Sequence, residues 1–267
     1  MTTDWLSESV PPGVNVTDAE MAALGAQDAV YNELLEMGER RAGLPKPYWE
    51  EPGITIYHGC AREILPLLPR SGLILTDPPY GVGKDYGELS SDTVENFVAA
   101  VRLVLEMGLP TAMFFPVTRI YDIPVKPQWM GVWEKDWGGS GLIAYPFYPH
   151  WEPIGFWNIK GDYRGNCGHR NDVFKFASVR PESNGHPTPK PLELVAELLS
   201  FMPCKGTVTD PYMGSGTTLL AAKQLRRPAV GIEIEERWCS LAVERLRQAV
   251  LPLEPAAPAP EQLELMP

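Results

Sequence analysis

Short apolar runs alternate with helical spacings between residues 53 and 250, and the stretches on either side read differently. The apolar runs predict strands at Ile54–Tyr57, Leu73–Thr76, Thr111–Phe115, Pro153–Trp157, Thr207–Thr209 and Ala229–Ile234. Between them the pattern predicts helices over Asp92–Met107, Pro191–Met202, Ser215–Leu225 and Glu235–Val250. In the second of these, Leu192, Val195, Leu199 and Met202 step by three and four residues, which puts them on one helical face. Strand and helix in alternation imply an α/β fold, a mostly parallel sheet covered by helices.

Residues 1–52 carry one strong helical pattern. Thr17 and Glu20 have the spacing of a capping box, and Met21, Leu24, Tyr31, Leu34, Leu35 and Met37 follow at near-helical intervals. Pro45, Pro47 and Pro52 end it as a link. Residues 251–267 are rich in Pro and Ala and read as a disordered tail. The expected organisation is an N-terminal helical arm with linker (1–52), a catalytic domain (53–250) and that tail.

Composition changes this picture little. Nothing approaches the roughly 20 apolar residues of a membrane span, and the N-terminus has no basic, apolar leader pattern. Cys60, Cys167, Cys204 and Cys239 are far apart, which fits reduced thiols in a cytoplasm rather than a zinc ribbon or disulfide framework. The net charge of −11 argues against a general nucleic-acid coat protein, although basic residues can still gather in one cleft.

Candidate chemistry sits in two places. The first is Thr76-Asp77-Pro78-Pro79-Tyr80, directly after Leu73-Ile74-Leu75. Two prolines remove two backbone donors and hold the chain extended at a strand's carboxyl end, where open α/β sheets bind ligands. A carboxylate and a bare carbonyl there can accept the two N–H bonds of a planar amine, and an aromatic ring can stack on its face. The sequence Asp-Pro-Pro-Tyr arises by chance about once in a thousand chains of this length.

The second place is Asp210-Pro211-Tyr212-Met213-Gly214-Ser215-Gly216-Thr217-Thr218, between a short strand and a helix. Its glycines allow close approach to the backbone, and the helix start offers free N–H groups. Glu233 stands at the tip of the next strand. Strand, Gly-rich turn, helix and a following acid is the nucleoside-binding logic of a Rossmann-type unit, the acid taking the ribose hydroxyls. Neither a dinucleotide fingerprint nor a P-loop is matched.

In this order, the two motifs resemble the beta-group, circularly permuted amino-methyltransferases of bacteria and phages, of the N6-adenine and N4-cytosine type. Three further segments are similar to that family: Trp151-Glu152-Pro153-Ile154, Asn171-Asp172-Val173-Phe174, and His186-Pro187-Thr188-Pro189-Lys190-Pro191. The resemblance spans about residues 53–250 and implies a Rossmann-like fold, S-adenosylmethionine as cofactor and DNA as partner. It implies that Asp77 and the Pro78 carbonyl, with Pro79, orient the target amine while Tyr80 stacks on a flipped base. It also implies that Asp210, Pro211, Gly214, Ser215, Gly216 and Thr217 surround the methionine end of the cofactor, with Glu233 on the ribose. Lys190 joins the cofactor set.

The implied reaction is direct methyl transfer to an exocyclic amine after base flipping. Adenine N6 is the first expectation and cytosine N4 the alternative, because the family's cytosine members more often have Ser where Asp77 stands. A non-catalytic nucleic-acid-binding protein of the same fold is the rival from another class. A protein-glutamine methyltransferase would carry Asn-Pro-Pro-Tyr. Two departures from the family stand out. Cys60 follows Gly59 where an acid is usual, and Pro189 replaces a usual Gln, so ordinary rather than tight cofactor binding is expected.

Three weaker signals remain. Trp129, Trp133, Trp137, Trp151 and Trp157 cluster near Gly138-Gly139-Ser140-Gly141, either as core or as base-stacking residues on a loop. Residues 160–190 hold Lys160, Arg164, Arg170, Lys175, Arg180 and Lys190 against three acids, and about 159–185 is the expected target-recognition segment. It is short, so the expectation is that recognition covers few base pairs, is relaxed, or borrows surface from the N-terminal helix or from a second subunit in a homodimer. Pro203-Cys204 resembles the nucleophile of cytosine-C5 enzymes but lacks its context and reads as structural.

Overall fold

The computed structural model describes residues 43–70, 72–81, 92–136, 150–159, 171–179, 189–202 and 206–248. The chain divides into two compact units, Met1–Leu44 and Pro45–Pro267, and the description below concerns the second. The N-terminal helix, the C-terminal tail, Trp137 with the Gly138–Gly141 loop, and Arg164 and Arg170 lie outside the described residues. So do His186-Pro187-Thr188 and Pro203-Cys204.

Nine strands form one sheet among the described residues. They are β1 (Trp49–Glu51), β2 (Ile54–His58), β3 (Leu73–Thr76), β4 (Thr111–Phe114), β5 (Trp129–Glu134), β6 (Trp151–Trp157), β7 (Val173–Lys175), β8 (Val208–Asp210) and β9 (Ala229–Glu233). The spatial order is β1-β2-β9-β8-β3-β4-β6-β5-β7. From β2 to β4 every neighbouring pair runs parallel. β1 pairs antiparallel with β2, and β6 pairs antiparallel with both β4 and β5. This is the expected α/β architecture, and the central strands β3 and β4, apolar but for Thr76 and Thr111, are buried along their whole length, as parallel strands covered on both faces must be.

The helices are α1 (Ala61–Ile64), α2 (Val94–Glu106), α3 (Leu192–Phe201), α4 (Thr217–Gln224) and α5 (Glu236–Gln248). α2 connects β3 to β4, and α4 connects β8 to β9. The Thr93 hydroxyl caps α2 by accepting from the Asn96 backbone N–H at 3.2 Å, and Phe97, Ala100, Val101 and Val104 make its buried stripe. A cap of this kind contributes about 1 kcal/mol; burial of the stripe supplies most of the rest. In α3 the buried face is Leu194, Val195, Leu198 and Leu199, with Met202 buried just past its end; three of the four residues of the expected stripe are on it, and Leu192 is only partly buried.

Three strands were not expected. Trp49–Glu51 falls in the stretch read as a linker, and two acids in three residues hide an edge strand that pairs through its backbone (Trp49 opposite Ile56). β5 contains a glycine and alternates only weakly, so its pairing with β6 decides it. β7 has three residues, of which only Phe174 is buried. Such short elements carry no readable period.

The aromatic cluster divides between the two readings. Trp133 and Trp157 are buried with their indole N–H groups donating to the Phe176 carbonyl (2.9 Å) and the Val125 carbonyl (2.8 Å). Trp129 and Trp151 are exposed.

Candidate active site

The strand order reverses between β3 and β8: the chain leaves β3 towards β4 on one side and leaves β8 towards β9 on the other. Open α/β sheets bind ligands at such a point. A cavity of about 450 Å³ opens there, lined by Thr76, Asp77 and Pro79 from the end of β3 and by Asp210–Ser215 from the end of β8. Glu233 closes one side, Gly59–Arg62 another, and Asn96 and Ala100 of α2 a third. The volume lies in the range of small-molecule sites.

The two motifs, far apart in sequence, touch. The Thr76 hydroxyl donates to Asp210 Oδ1 at 2.7 Å, and the Tyr212 N–H donates to the same oxygen at 3.1 Å. Asp210 is buried, and burial, partly offset by hydrogen bonds from Thr218 and Thr76, pushes its carboxyl up to about 6. Asp210 therefore braces β8 against β3 as well as lining the cavity.

At the end of β3, Asp77 meets a cluster of charge. Lys190 Nζ donates to Asp77 Oδ2, lies 3.1 Å from Glu152 Oε1 and donates to the Tyr80 hydroxyl oxygen at 3.0 Å. The Tyr80 hydroxyl points at both Asp77 Oδ1 and Glu152 Oε1. Lys135, just past β5, pairs with Glu152 Oε2 at 2.8 Å. Burial works against the charge on Glu152, yet the ammoniums of Lys190 and Lys135 outweigh it and hold the carboxyl at about 2. Burial raises Asp77 above the usual carboxylate range; Lys190 opposes this, and the neighbouring Glu152 carboxylate adds to it.

Behind the motif, the Arg119 guanidinium donates to the carbonyls of Tyr80 (3.1 Å) and Gly81, and the Gly81 N–H donates to Asp92. The turn that carries the motif is thereby fastened at its far end.

Lys190 thus has its ammonium among the groups of the Asp-Pro-Pro-Tyr motif, whereas the family resemblance had put it in the cofactor set. Tyr80 is 8% exposed, and Lys190 Nζ lies 5.3 Å from the centre of its ring. In this conformation Pro79, not Tyr80, forms the cavity wall.

On the β8 side, Gly214 lies open to the cavity, and its N–H donates to Glu233 Oε2 at 3.0 Å. The Glu235 N–H donates to Glu233 Oε1 at 2.9 Å. Both oxygens of Glu233 are thus anchored, with lone pairs left for a ligand. Burial pushes this carboxyl up to about 7 against those backbone hydrogen bonds. Arg245 of α5 donates to the Ser215 carbonyl (2.7 Å), the Ser215 hydroxyl (2.8 Å) and the Thr217 hydroxyl (3.3 Å), fixing the loop from below.

Gly216 has a different reason for being glycine. It is absent from the cavity wall, adopts φ +80° as the N-cap of α4, and a Cβ there would lie 2.8 Å from Ala242 Cβ. Close packing of α4 on α5 needs it, not close approach of a ligand.

The residues present fit S-adenosylmethionine. The anchored acid at the tip of β9 suits a ribose diol, the loop at residues 210–215 is open to a small ligand, and the cavity is continuous to Asp77. Cys60 and Pro189 both line this cavity, so the two departures from the family fall inside the site.

Motif reading missed Lys135, Arg119 and Arg245, and it included Glu152 without a role, as part of the resembling segment Trp151-Glu152-Pro153-Ile154. The others lie outside any motif, and only tertiary packing brings them in.

Residues 150–244 match the family described as DNA methylase, N6_N4 type. The type II methyltransferase M.ScaI of Streptomyces caespitosus is 28% identical over 79% of this chain and 86% of its own length. The crystal structure of the M1.HpyAVI–SAM complex is 26% identical, covers 72% of this chain and all of its own, and superposes with a TM-score of 0.53. The cytosine-N4-specific PvuII DNA methyltransferase shares the fold at a TM-score of 0.57 and 15% identity, over 75% of this chain and 88% of its own. By its fold, its cavity and these matches, the chain is similar to the N6/N4 DNA methylases, and the cavity has a lining that fits S-adenosylmethionine.

Proposed function

We propose that the protein methylates the N6 amino group of adenine in DNA. The observation that carries this reading is the continuity of one cavity from Glu233, past the Gly214 loop, to the Asp77 carboxylate. The bound cofactor supplies a methyl carbon made electrophilic by its sulfonium. The protein's part is to place an amine in line with that carbon and to accept the amine's N–H bonds, which turns a bimolecular encounter into a positioned one.

Asp77 and the Pro78 carbonyl take the two N–H bonds. Asp77, whose side chain is 28% exposed in an otherwise buried cluster, has lone pairs free on the cavity side. Withdrawing N–H density raises the nucleophilicity of the nitrogen and stabilises the positive charge that grows on it. Tyr80, tied by its hydroxyl, contributes to Asp77's alignment in this conformation, and stacking on a base requires its ring to be uncovered. On the cofactor side, Glu233 takes the ribose and the 210–217 loop the methionine end, with Asp210 and Thr217 holding that loop in shape. An exocyclic amine stacked in a duplex cannot reach this cavity, so the base must be flipped out.

The DNA assignment is supported by the N6_N4 match and by M.ScaI, a type II methyltransferase over most of its length. Expression in a methylation-free bacterial host, nucleoside digestion and mass spectrometry test it. N6-methyladenine is the expected product. N4-methylcytosine would move the assignment to the other base, and unmodified DNA beside active purified enzyme on RNA would overturn it.

Cofactor binding carries its own pH signature. The Glu233 carboxyl titrates near 7 when folded, against an ordinary value of 4.5. Between those values the folded protein holds a proton that the unfolded chain has lost, so this group's contribution to stability falls as pH rises from about 4.5 to 7 and is level above. A ribose diol is held best by the ionised form. Calorimetric titration is therefore expected to show S-adenosylmethionine Kd tightening about tenfold from pH 6 to pH 8. Glu233→Gln should bind more weakly and lose that slope; a slope unchanged in the variant would remove Glu233 as the ribose acceptor.

A further inference from the structure

The Lys190 ammonium has three protons, and three acceptors surround it: Asp77, Glu152 and the Tyr80 hydroxyl. None of its hydrogen-bonding capacity is left for a cofactor. A free cation at this place would also be badly sited, since it would face a sulfonium and an amine gaining positive charge. Glu152 removes that problem. It is 7% exposed, lies on β6, and is the second carboxylate on Lys190. Lys135 in turn neutralises Glu152 from the side away from Asp77, so two acids and two ammoniums alternate from the cavity inward.

We propose that Lys190 and Glu152 form a positioning pair for Asp77, in which Lys190 keeps the Asp77 carboxylate ionised and aligned and Glu152 holds Lys190 and cancels its charge. The proposal rests on the reading of Asp77 as acceptor of the target amine. It withdraws Lys190 from cofactor binding and gives a role to Glu152, which sequence comparison left without one.

The geometry fixes the signs of the effects. Asp77 faces Glu152 of β6, Lys190 before α3, its own neighbour Tyr80 and, further off, Asp210 of β8; Arg119 and Asp92 meet the same turn through its backbone. Of the charged groups, Lys190, Glu152 and Asp210 act on the Asp77 charge directly and only Lys190 favours it; the hydrogen bond from the Tyr80 hydroxyl favours it as well. Without the ammonium, Asp77 is left beside two carboxylates and holds its proton to higher pH. Without the Glu152 charge, one source of repulsion goes and Asp77 ionises at lower pH.

Single-turnover methylation of unmethylated bacterial genomic DNA, followed with labelled S-adenosylmethionine from pH 5 to 9, separates these cases. In Lys190→Met the acid limb of the rate profile is expected to move up by at least about one pH unit, with a plateau about 100-fold lower. In Glu152→Gln the limb is expected to move down, with a plateau lower by 10-fold or more. Lys190→Arg, which keeps the charge but not the geometry, should restore the wild-type limb and only part of the plateau. Cofactor Kd from calorimetry should stay within about threefold in all three.

An unmoved limb in Lys190→Met would overturn the proposal. So would a cofactor Kd weakened tenfold or more with an intact plateau, which would make Lys190 a cofactor ligand. If Lys190→Met does not fold, the near-isosteric Glu152→Gln decides, and a limb that stays put or rises overturns the pair. Asp77→Ala, run beside them, keeps the two readings apart. Undiminished transfer in that variant removes the amine-acceptor reading itself, whereas loss in Asp77→Ala with unmoved limbs elsewhere removes only the pair.

Discussion

Asp77→Ala is expected to lower the rate of methyl transfer by about a thousandfold, close to 4 kcal/mol on the barrier, at an S-adenosylmethionine Kd near that of the wild type. The substitution removes the carboxylate that takes one amine N–H and leaves the Pro78 carbonyl with the other. It spares the cofactor end of the cavity, since Glu233, Gly214 and Arg245 make no contact with Asp77. Lys190 keeps Glu152 as a partner, so no ammonium is stranded and the fold should hold. Asp77→Asn keeps the shape and one carbonyl acceptor and should fall between alanine and wild type. Single-turnover rates with calorimetry measure both halves. A loss of cofactor affinity equal to the loss in rate would mean that Asp77 serves binding and not the chemical step.

Gly216→Ala is expected to destabilise the fold rather than tune the site. A non-glycine residue at φ +80° costs about 1–2 kcal/mol. The added methyl would also lie 2.8 Å from Ala242 Cβ on α5, so the two helices would have to move apart, and overpacking of that kind costs about 1–3 kcal/mol. Together these correspond to a melting temperature lower by roughly 5–15 °C in a domain of this size. Differential scanning calorimetry without cofactor measures it. An unchanged melting temperature combined with loss of S-adenosylmethionine binding would restore the ligand-approach reading of this glycine. The two glycines of the loop thus differ: Gly214 lies open to the cavity, and Gly216 admits the neighbouring helix.

The central strands were readable because their information is local. Leu73–Thr76 is an apolar run closed by a threonine, with two prolines following after Asp77, and the strand begins and ends where the pattern does. The helices α2, α4 and α5 fell within two residues of expectation at each end. β1 and β7 could not be read, because three residues each and one buried side chain among them leave hydrogen bonding to a neighbour as their only cause. The stretch around Trp49 was taken for linker on its prolines, yet its backbone completes the sheet edge beside Ile56.

The site divides in the same way. Asp77, Tyr80, Asp210, Gly214 and Glu233 are recognisable because turns and strand tips constrain which residues can stand there, and the constraint repeats at fixed spacing. Glu152 was visible only as part of a resembling segment with no role attached, and Lys190 only as part of another such segment, in the cofactor set. What they do depends on β6 lying beside β4 and on the chain before α3 crossing over Phe114, where Lys190 Nζ sits 5.1 Å from the ring centre.

By itself, the sequence determined the alternation of strand and helix, the two motifs and their order, and the class of chemistry those motifs serve. These follow from side-chain period, from proline and glycine geometry, and from short-range spacing. Only the tertiary structure decided which charges share the buried space behind Asp77, that Lys190 belongs there, and why Gly216 is glycine. Each of those depends on contacts between segments 17 to 113 residues apart, and no local pattern in a chain records which distant residue will fill the space beside it.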